Sequence, residues 1–499
     1  MRRPAMLAVG ALVVALLAVA PVAVAERDRP DRASGAPDRA RFADRPNLVL
    51  ISTDDQSVAE MRWMPQTRRL LGSQGATFRN AIAPQPLCCP ARAQILTGQY
   101  AQNNGVRNNS GPHGGVDAFE RTEARALPVW LQNAGYRTGF LGKYLNQYDE
   151  SHGVPPGWDH WDATVDGIYD YYGFGQYDGS TITRPEGHHN DYLGGAGADF
   201  IRASAAQDRP FFLWTSYTAP HGTCVGDTEG GCAVPPIPAI RDADVHASVR
   251  APFASSPGVH ERRLDDKPRW VVRMGRGRVE PTKMQRLFTQ RIRTLASVDD
   301  AVATTIDALA DAGELDNTFV AFVSDNGYLF GEHRYTGKIV AYEESVRIPM
   351  LLRGPGIPAG AVRHQATALT DLAPTFAGIA DARPLVEVDG DSLLPWARRD
   401  ARQRDRALLV QAGWRGPDAH HRRWLFRGVR TDRYTYVQWR TEDLVELYDR
   451  RRDPFELRSV GDSPRYAAIA HRLDRLTHRL AGCSGASCRR AFRPLPAPR

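Results

Sequence analysis

Two adjacent cysteines open a short segment of the sequence that could do covalent chemistry. Cys88 and Cys89 begin CCPARAQILTG, and neighbouring cysteines cannot easily bond each other, because a disulfide holds its Cβ atoms about 3.5–4.5 Å apart. Pro90 suits the first turn of a helix, so Cys88 is expected just before the helix start, beside free backbone N–H groups. With Arg92 in the first turn to bind an anion, this setting predicts a nucleophilic cysteine of low pKa.

Oxygen-bearing side chains follow two apolar runs of the sequence. PNLVLIST ends in Asp54 and Asp55, and NTFVAFVS ends in Asp325 and Asn326. One acidic pair after a strand is commonly a turn or a helix cap. Carboxylates and an amide after two strands are the donors that Ca²⁺ and Mg²⁺ prefer, so the pattern indicates a hard-cation site. A thiolate from Cys88 would be poorly matched to such an ion.

These residues need a scaffold that brings distant segments together. Short runs of branched apolar residues alternate with helical stretches such as 127–134 and 292–312, which predicts an α/β fold around a largely parallel sheet. Two further runs lead to Lys143 and, four residues after the run, to Pro220 and His221. Ligands bind beyond the carboxyl ends of parallel strands, so all these side chains are expected at one edge of the sheet.

Residues 88–98 carry a resemblance to a known family. They are similar to the signature of the type I sulfatases, C-x-P-S/A-R-x-x-x-x-T-G, in which the first cysteine is converted to formylglycine. ISTDDQ, GKYLNQY, TAPH and SDNGYLFGEHRYTGK look most like the N-acetylglucosamine-6-sulfatase and arylsulfatase branch, and the similarity extends from Pro46 to about Leu457. The resemblance implies an alkaline-phosphatase-like large domain and a smaller C-terminal α+β domain with an antiparallel sheet. It also implies that Cys88 does not remain a thiol.

The resemblance assigns a role to each matching residue. The cation, Ca²⁺ with Mg²⁺ as the alternative, would be bound by Asp54, Asp55, modified Cys88, Asp325 and Asn326. Arg92 would support the formylglycine hydrate, Lys143 and Lys338 would bind sulfate oxygens, and His221 would lie near the leaving group.

Two positions depart from the family pattern. Many relatives have a histidine two residues after the lysine that matches Lys143, whereas Leu145 stands here. The role of that histidine with the hydrate proton is therefore unassigned in this sequence, and Asn146 is a candidate substitute. Ala91 stands in place of the commoner serine, which the family signature tolerates.

The resemblance implies hydrolysis of sulfate esters of sugars or aryl alcohols. One hydroxyl of the formylglycine hydrate attacks sulfur, and His221, with Lys338, protonates the departing alcohol. The second hydroxyl loses its proton and expels sulfate by C–O cleavage, which regenerates the aldehyde. A formylglycine-generating enzyme would be a maturation partner. Two alternatives stay open, namely hydrolysis of phosphonate monoesters or phosphodiesters, and noncatalytic glycan binding if Cys88 is unmodified.

The N-terminal sequence is typical of an exported protein. Arg2 and Arg3 precede the uncharged run 5–24, which closes with the small-x-small pattern Ala23-Val24-Ala25. The pattern predicts a signal peptide over 1–25 and a secreted product, with a membrane anchor as the alternative. Residues 26–45, dense in arginine, aspartate and proline, predict a disordered leader. We found no later run that could span a bilayer.

The rest of the chain is too long for one hydrophobic core. We predict a catalytic domain over 46–385 and a smaller domain over 386–499, with a strand pair joined by a turn at 431–432 and a final helix near 466–480. The formal charge of +7 suits anionic substrates, although basic residues beside acids are also typical of a solvated surface. We found no nucleic-acid motif.

The four other cysteines form two local pairs, Cys224 with Cys232 and Cys483 with Cys488. Both pairs fit small-loop disulfides in an oxidising compartment, since no histidine pair at zinc-ligand spacing lies beside them.

Two further groups of polar residues each allow two interpretations. His188, His189 and Asp191, in an aromatic-rich insertion with Tyr169, Tyr171 and Tyr172, fit a sugar platform or a packed loop. Glu332 and His333 either cap their loop or lie near substrate.

Overall fold

The computed structural model describes residues 45–224, 234–274, 280–401, 405–413, 424–493, 495, 496 and 498. The predicted signal peptide and the leader up to residue 44 lie outside the described residues. Cys232 does too, and with it the predicted pairing with Cys224. Among the helices of the described part, none has the length and apolar content needed to cross a bilayer.

A ten-stranded mixed sheet forms the centre of the fold. Its strands, in spatial order, are Ala361–Arg363, Ala76–Phe78, Met350–Arg353, Thr318–Ser324, Asn47–Thr53, Phe211–Ser216, Arg137–Gly142, His160–Asp166, Gly175–Tyr177 and Ile182–Thr183. The consecutive strands from 318–324 to 160–166 run parallel, and the neighbours on either side of this block run antiparallel to it. The predicted mostly parallel central sheet is confirmed.

The strand Asn47–Thr53 lies inside this parallel block, between the strands 318–324 and 211–216, and is buried along its whole length. Leu48 and Leu50 belong to one apolar cluster, and Val49 and Ile51 belong to another. Successive strand residues face opposite sides of a sheet, so both faces are covered, as the continuous apolar run predicts.

Helices cover the two faces of the sheet. His189–Ala205 and Pro281–Asp311 pack with the cluster of Val49 and Ile51, whereas Cys88–Thr97, Gly115–Glu123, Leu127–Asn133 and Leu372–Ala380 pack with that of Leu48 and Leu50. The helix predicted over 127–134 is confirmed. The helix predicted over 292–312 begins earlier, at Pro281, because Leu287 and Phe288 extend its apolar face.

A second sheet lies near the C-terminus. Its antiparallel strands are Leu408–Gly413, Trp424–Arg430, Tyr434–Trp439 and Leu444–Asp449, and the helix Ala467–Ala481 packs against it. The predicted strand pair around the 431–432 turn is confirmed, and Cys483 is bonded to Cys488 as predicted. The described residues all lie in one compact unit, so the division at residue 385 stays a prediction.

Short elements complete the described fold. The helices are Pro65–Thr67, Ala101–Asn104, Arg269–Met274, Glu343–Val346 and Leu394–Arg398, and two-residue strands pair Ala81–Ile82 with Thr367–Ala368 and Leu329–Phe330 with Thr336–Gly337.

Gly142 ends the strand Arg137–Gly142 and directly precedes Lys143. Its φ is +93°, and a Cβ at this position would lie 2.2 Å from the carbonyl oxygen of Ser216. A side chain would therefore push apart two paired strands directly before Lys143.

We expect Gly142→Ala to lower the free energy of unfolding by more than about 2 kcal/mol, because it combines a positive φ with a backbone clash. Gly378→Ala is the matched control, since Gly378 lies in the helix Leu372–Ala380 with open space around it. That change should instead stabilise the protein by about 0.5–1 kcal/mol. Denaturant unfolding measures both, and similar values for the two variants would contradict the expectation.

Candidate active site

The carboxyl ends of the central parallel strands deliver polar side chains to one edge of the sheet. Asp54 follows Thr53, Lys143 follows Gly142, and Asp325 follows Ser324. Backbone hydrogen bonds continue the ladder past the strand ends, from the Asp325 N–H to the Thr53 oxygen (3.1 Å) and from the Lys143 N–H to the Ser216 oxygen (3.0 Å). The sheet register therefore fixes the spacing of these side chains.

Oxygen ligands from two strands converge at this edge. The Asp55 backbone N–H donates to Asp325 Oδ1 at 3.1 Å, and Asn326 Nδ2 donates to Asp55 Oδ1 at 2.7 Å. One ligand atom each from Asp54, Asp55, Cys88 and His221 lies within 4.8 Å of the others. The predicted cation-ligand residues are thus brought together and are all buried.

Three basic side chains contact the buried carboxylates. Arg92 Nε lies 3.0 Å from Asp325 Oδ2, and its Nη1 donates to Ser216 Oγ at 2.6 Å. Lys143 Nζ is in direct contact with Asp54 Oδ2, and Lys338 Nζ with Asp55 Oδ1. The predicted basic residues therefore lie around the carboxylates and offset their charge.

Burial and these neighbours shift the pKa values of the charged groups in opposite directions. Burial acts to raise the pKa of Asp54, but Lys143 and the other cations hold it well below its usual range. Burial and the charge of Asp54 raise the pKa of Asp325 to about 6. Burial acts to lower the pKa of Lys338, but Asp55 and its neighbours keep it well above its usual value. Lys338 is therefore protonated at neutral pH.

The helix that carries Cys88 differs from the prediction at its start. It spans Cys88–Thr97 with Leu87 as the N-cap, so Cys88 is the first helical residue rather than the one before it. Its predicted end is confirmed, because Gly98 takes a positive φ of 65° as the C-cap.

The expectation of a low-pKa Cys88 is wrong. Burial and the nearby Asp54 raise the pKa of the Cys88 thiol to about 12, which outweighs the effect of Lys143 and Lys338. Lys338 Nζ lies 2.7 Å from Cys88 Sγ. The helix N-terminus alone does not decide the protonation of a thiol that is removed from water and placed beside a carboxylate. As a thiol, Cys88 is not an activated nucleophile.

His221 presents one ring nitrogen to the cluster. Nε2 lies 3.7 Å from Asp55 Oδ2, and Nδ1 lies 2.7 Å from the Gly222 carbonyl oxygen. A carbonyl only accepts hydrogen bonds, so Nδ1 carries the proton and Nε2 presents a lone pair. Burial lowers the pKa of His221 to about 4, which keeps the ring neutral.

A buried ion pair behind the site was not predicted from the sequence. Arg291 Nη2 donates to the Asp55 carbonyl oxygen at 2.6 Å, Nη1 donates to the Pro220 carbonyl oxygen at 3.2 Å, and Nε lies 2.7 Å from Glu60 Oε1. One guanidinium thus joins the segments that carry Asp55 and His221. The sequence SVAE at 57–60 has the S-x-x-E spacing of a capping box, which could have singled out Glu60.

The two departures from the family pattern have different surroundings. Leu145 is buried in the apolar cluster that covers one face of the sheet. The Asn146 side chain reaches the site edge, where Nδ2 donates to the Tyr169 hydroxyl at 3.0 Å. The sequence places Tyr169 in the aromatic-rich insertion, but it did not predict that Tyr169 contacts the site.

Contacts in the two undecided groups agree with structural roles. His189 and Asp191 lie in the first turn of the helix His189–Ala205, so a helix start stands where a packed loop was one alternative. His189 Nε2 lies 3.0 Å from Thr164 Oγ1, and Asp191 pairs with Arg241 at 2.6 Å. The Glu332 carboxylate accepts from the Phe330 N–H at 2.7 Å and so holds its own loop. His333 Nδ1 lies 2.8 Å from Glu261 Oε2 and so joins this loop to the segment of Glu261.

Comparison with known families gives the context for this cluster. The family model described as Sulfatase matches residues 46–382, which is more than half of the chain. The chain belongs to the sulfatase family. A second model, described as the C-terminal part of N-sulphoglucosamine sulphohydrolase, matches residues 331–482. The resemblance seen in the sequence is confirmed.

Individual members of the family align over most of the chain. An arylsulfatase of Volvox carteri is 31% identical over 89% of this chain and 76% of its own length. The N-acetylglucosamine-6-sulfatase of Capra hircus is 29% identical over 92% of this chain and 88% of its own length. A solved structure of a protein with bound D-glucosamine-2-N,6-O-disulfate has a TM-score of 0.71 at 22% identity, and covers 87% of this chain and 97% of that one. This likeness confirms the fold.

We expect Arg291→Met to lower the free energy of unfolding by about 3–5 kcal/mol, because it leaves the Glu60 carboxylate buried without its cation. Arg286→Met, an exposed change on the same helix, should stay within about 0.5 kcal/mol. The double variant Arg291→Met/Glu60→Leu should recover part of the loss, since no unpaired charge remains. Thermal and denaturant unfolding measure these differences, and a double variant no more stable than Arg291→Met would contradict the explanation.

Proposed function

We propose that this member of the sulfatase family is a secreted hydrolase of sulfate esters of sugars or aryl alcohols, which uses a formylglycine made from Cys88 and a bound divalent cation. The observation that carries the proposal is the cluster of Cys88, three carboxylates and three basic side chains at one edge of the sheet. A relative named N-acetylglucosamine-6-sulfatase and a structural neighbour with a bound glucosamine disulfate support a sulfated sugar as the substrate.

The residues at the sheet edge fit a hard cation. Asp54, Asp55, Asp325 and Asn326 would hold it, and Asn326 Oδ1 is buried with no hydrogen-bond partner among the described residues. An amide oxygen left in this state suits a metal ligand, because a buried acceptor otherwise pays the cost of desolvation. An all-oxygen set favours Ca²⁺, with Mg²⁺ as the alternative. When bound, the ion would stabilise negative charge on the sulfuryl group.

The chemistry at Cys88 requires its conversion. Its buried thiol stays protonated, and sulfur is a soft ligand beside a hard cation, whereas the oxygens of a formylglycine hydrate suit that ion. The hydrate would supply an oxygen nucleophile. A formylglycine-generating enzyme is therefore proposed as the maturation partner.

Three basic residues surround the position where the sulfuryl group would lie. Arg92 is one helical turn after Cys88, on the same face of the helix, and its bonds to Asp325 and Ser216 fix it beside the nucleophile. Lys143 and Lys338 would bind sulfuryl oxygens, which accumulate charge in the transition state. Lys338 is the group that holds a proton for the leaving oxygen, since the pKa of His221 is lowered to about 4. The Nε2 lone pair of His221 would accept a hydrogen bond from the departing alcohol once its oxygen is protonated.

Export is part of the proposal and rests on the N-terminal sequence. A basic start, an uncharged run and a small-x-small site precede the folded part. The Cys483–Cys488 disulfide agrees with an oxidising compartment.

Protein secreted from a host with the converting enzyme should carry an aldehyde at residue 88. We expect the tryptic peptide to show the mass of formylglycine and to react with a hydrazide. Cys88→Ala should lower kcat/KM for a sulfate ester by at least about 10³-fold, because the nucleophile is lost. Cys89→Ala, the matched control, should keep the aldehyde and most of the activity.

Two other outcomes would replace this proposal. An unmodified thiol at residue 88 with no sulfate-ester hydrolysis would favour a noncatalytic glycan-binding protein. Faster hydrolysis of phosphonate monoesters or phosphodiesters than of any sulfate ester would favour that activity instead.

Removal of divalent ions should destabilise the protein. At a free Ca²⁺ concentration 100 times the Kd, we expect about 2.7 kcal/mol of stabilisation over the EDTA-treated protein, measured as a calcium-dependent rise in Tm. Asn326→Ala should reduce this rise by removing one ligand. Asp117→Asn should leave the rise unchanged. Asp117 lies in another cluster, with Glu120 and His152, but both carboxylates of that cluster are exposed. Identical melting in calcium and EDTA would contradict the cation site.

A further inference from the structure

Tyr169 joins three residues at the basic side of the candidate active site. Its hydroxyl oxygen accepts hydrogen bonds from Lys143 Nζ at 3.2 Å and from Asn146 Nδ2 at 3.0 Å. Its ring stacks on His221 with centroids 4.4 Å apart and an interplanar angle of 27°. Tyr169 therefore contacts the proposed sulfate-binding lysine and the histidine at once, although the family signature does not include it.

The hydroxyl proton of Tyr169 is available to a ligand. The oxygen already accepts from two donors, so its own proton must point in a third direction. No atom of the described residues accepts that proton. Burial raises the pKa of Tyr169 to about 12, so the phenol keeps its proton at any pH near neutrality and stays a neutral donor.

The ammonium group of Lys143 lies beside this hydroxyl. Of its three N–H donors, one faces Asp54 Oδ2 and one faces the Tyr169 oxygen. The third donor and the phenol proton start from atoms 3.2 Å apart, so both can reach oxygens of one bound anion. Leu145 cannot contribute a donor, because its side chain has no polar atom, and it is buried among apolar residues.

We propose that the Tyr169 hydroxyl donates a hydrogen bond to a sulfuryl oxygen of the bound substrate, and that Lys143 and Asn146 hold it in position for this contact. The assignment rests on the proposed function, since it presumes a sulfate ester at this edge. Tyr169 thus adds a neutral hydrogen-bond donor beside Lys143, which is a different task from handling the hydrate proton. Its ring also limits the rotation of the His221 imidazole.

The hydroxyl and the ring can be tested separately. Tyr169→Phe keeps the stacking and removes the donor, and we expect kcat/KM for sulfate esters to fall about 10- to 100-fold. The loss should be equal for 4-nitrophenyl sulfate and phenyl sulfate, because the contact is to a sulfuryl oxygen and not to the leaving oxygen. Calorimetric binding of inorganic sulfate should weaken about 10-fold, as expected for a hydrogen bond to an anion.

Asn146 and a distant tyrosine provide the comparison variants. Asn146→Ala should cause a smaller loss alone and no further loss in the Tyr169→Phe background, because both act through one hydroxyl. Tyr192→Phe removes a phenol that donates to Asp162 at 2.8 Å and makes no hydrogen bond to the site residues, and should change neither kinetics nor sulfate affinity. The Tm and the formylglycine content of every variant show whether folding or conversion has changed instead.

Three results would overturn the proposal. They are unchanged kinetics and sulfate affinity in Tyr169→Phe, a loss that grows with the pKa of the leaving alcohol, and additive effects of the Tyr169 and Asn146 variants. If the unsubstituted protein hydrolyses no sulfate ester but Tyr169→Phe still weakens sulfate binding, the proposed function fails and the role of Tyr169 stands. If the unsubstituted protein binds no sulfate, both fail.

Discussion

Three carboxylates buried together at one edge of the sheet repel one another, and the rest of the site depends on how that repulsion is offset. Asp54, Asp55 and Asp325 would each be costly to ionise there without a partner. Arg92 and the two lysines supply positive charge within direct contact. A divalent cation would compete with the lysines for the same oxygens, and so would turn Lys143 and Lys338 from carboxylate partners into donors for an anionic substrate.

The geometry of that cluster is a consequence of strand register. The strand Asn47–Thr53 pairs in parallel with both of its neighbours, so Ser52 lies opposite Ser216 and Thr53 lies opposite Ser324. The residues that follow these positions must emerge side by side. Arg291 then fixes the turn after the strand, because it binds the carbonyl oxygens of Asp55 and Pro220 while Glu60 balances its charge.

Much of this arrangement could be predicted from the sequence because its signals are local. Apolar runs that end in acidic residues identified the carboxylates and the amide that meet at the sheet edge, and CCPARAQILTG identified the helix with Cys88. The pKa of Cys88 could not be predicted, since it depends on burial and on Asp54, 34 residues away. Arg291 and Glu60 were missed because an ion pair 231 residues apart leaves no periodic pattern. The sequence placed Tyr169 in an aromatic group with Tyr171 and Tyr172. Only the fold of the insertion shows that it is Tyr169 whose hydroxyl contacts Lys143.

Lys338 reaches the site neither from the end of a central strand, as Lys143 does, nor from the helix Cys88–Thr97, as Arg92 does. Its segment is constrained at both ends: Tyr335 Oη donates to the Lys338 carbonyl oxygen at 2.9 Å, and the Ile339 N–H donates to the Pro86 oxygen at 3.2 Å.

Tyr335 and Ile339 also pack in one apolar cluster with Phe426 and Trp439 of the C-terminal sheet. The ammonium group that lies 2.7 Å from Cys88 Sγ is therefore positioned by packing against a sheet that contributes no ligand to the site. The packing of the C-terminal sheet therefore bears directly on the geometry at Cys88.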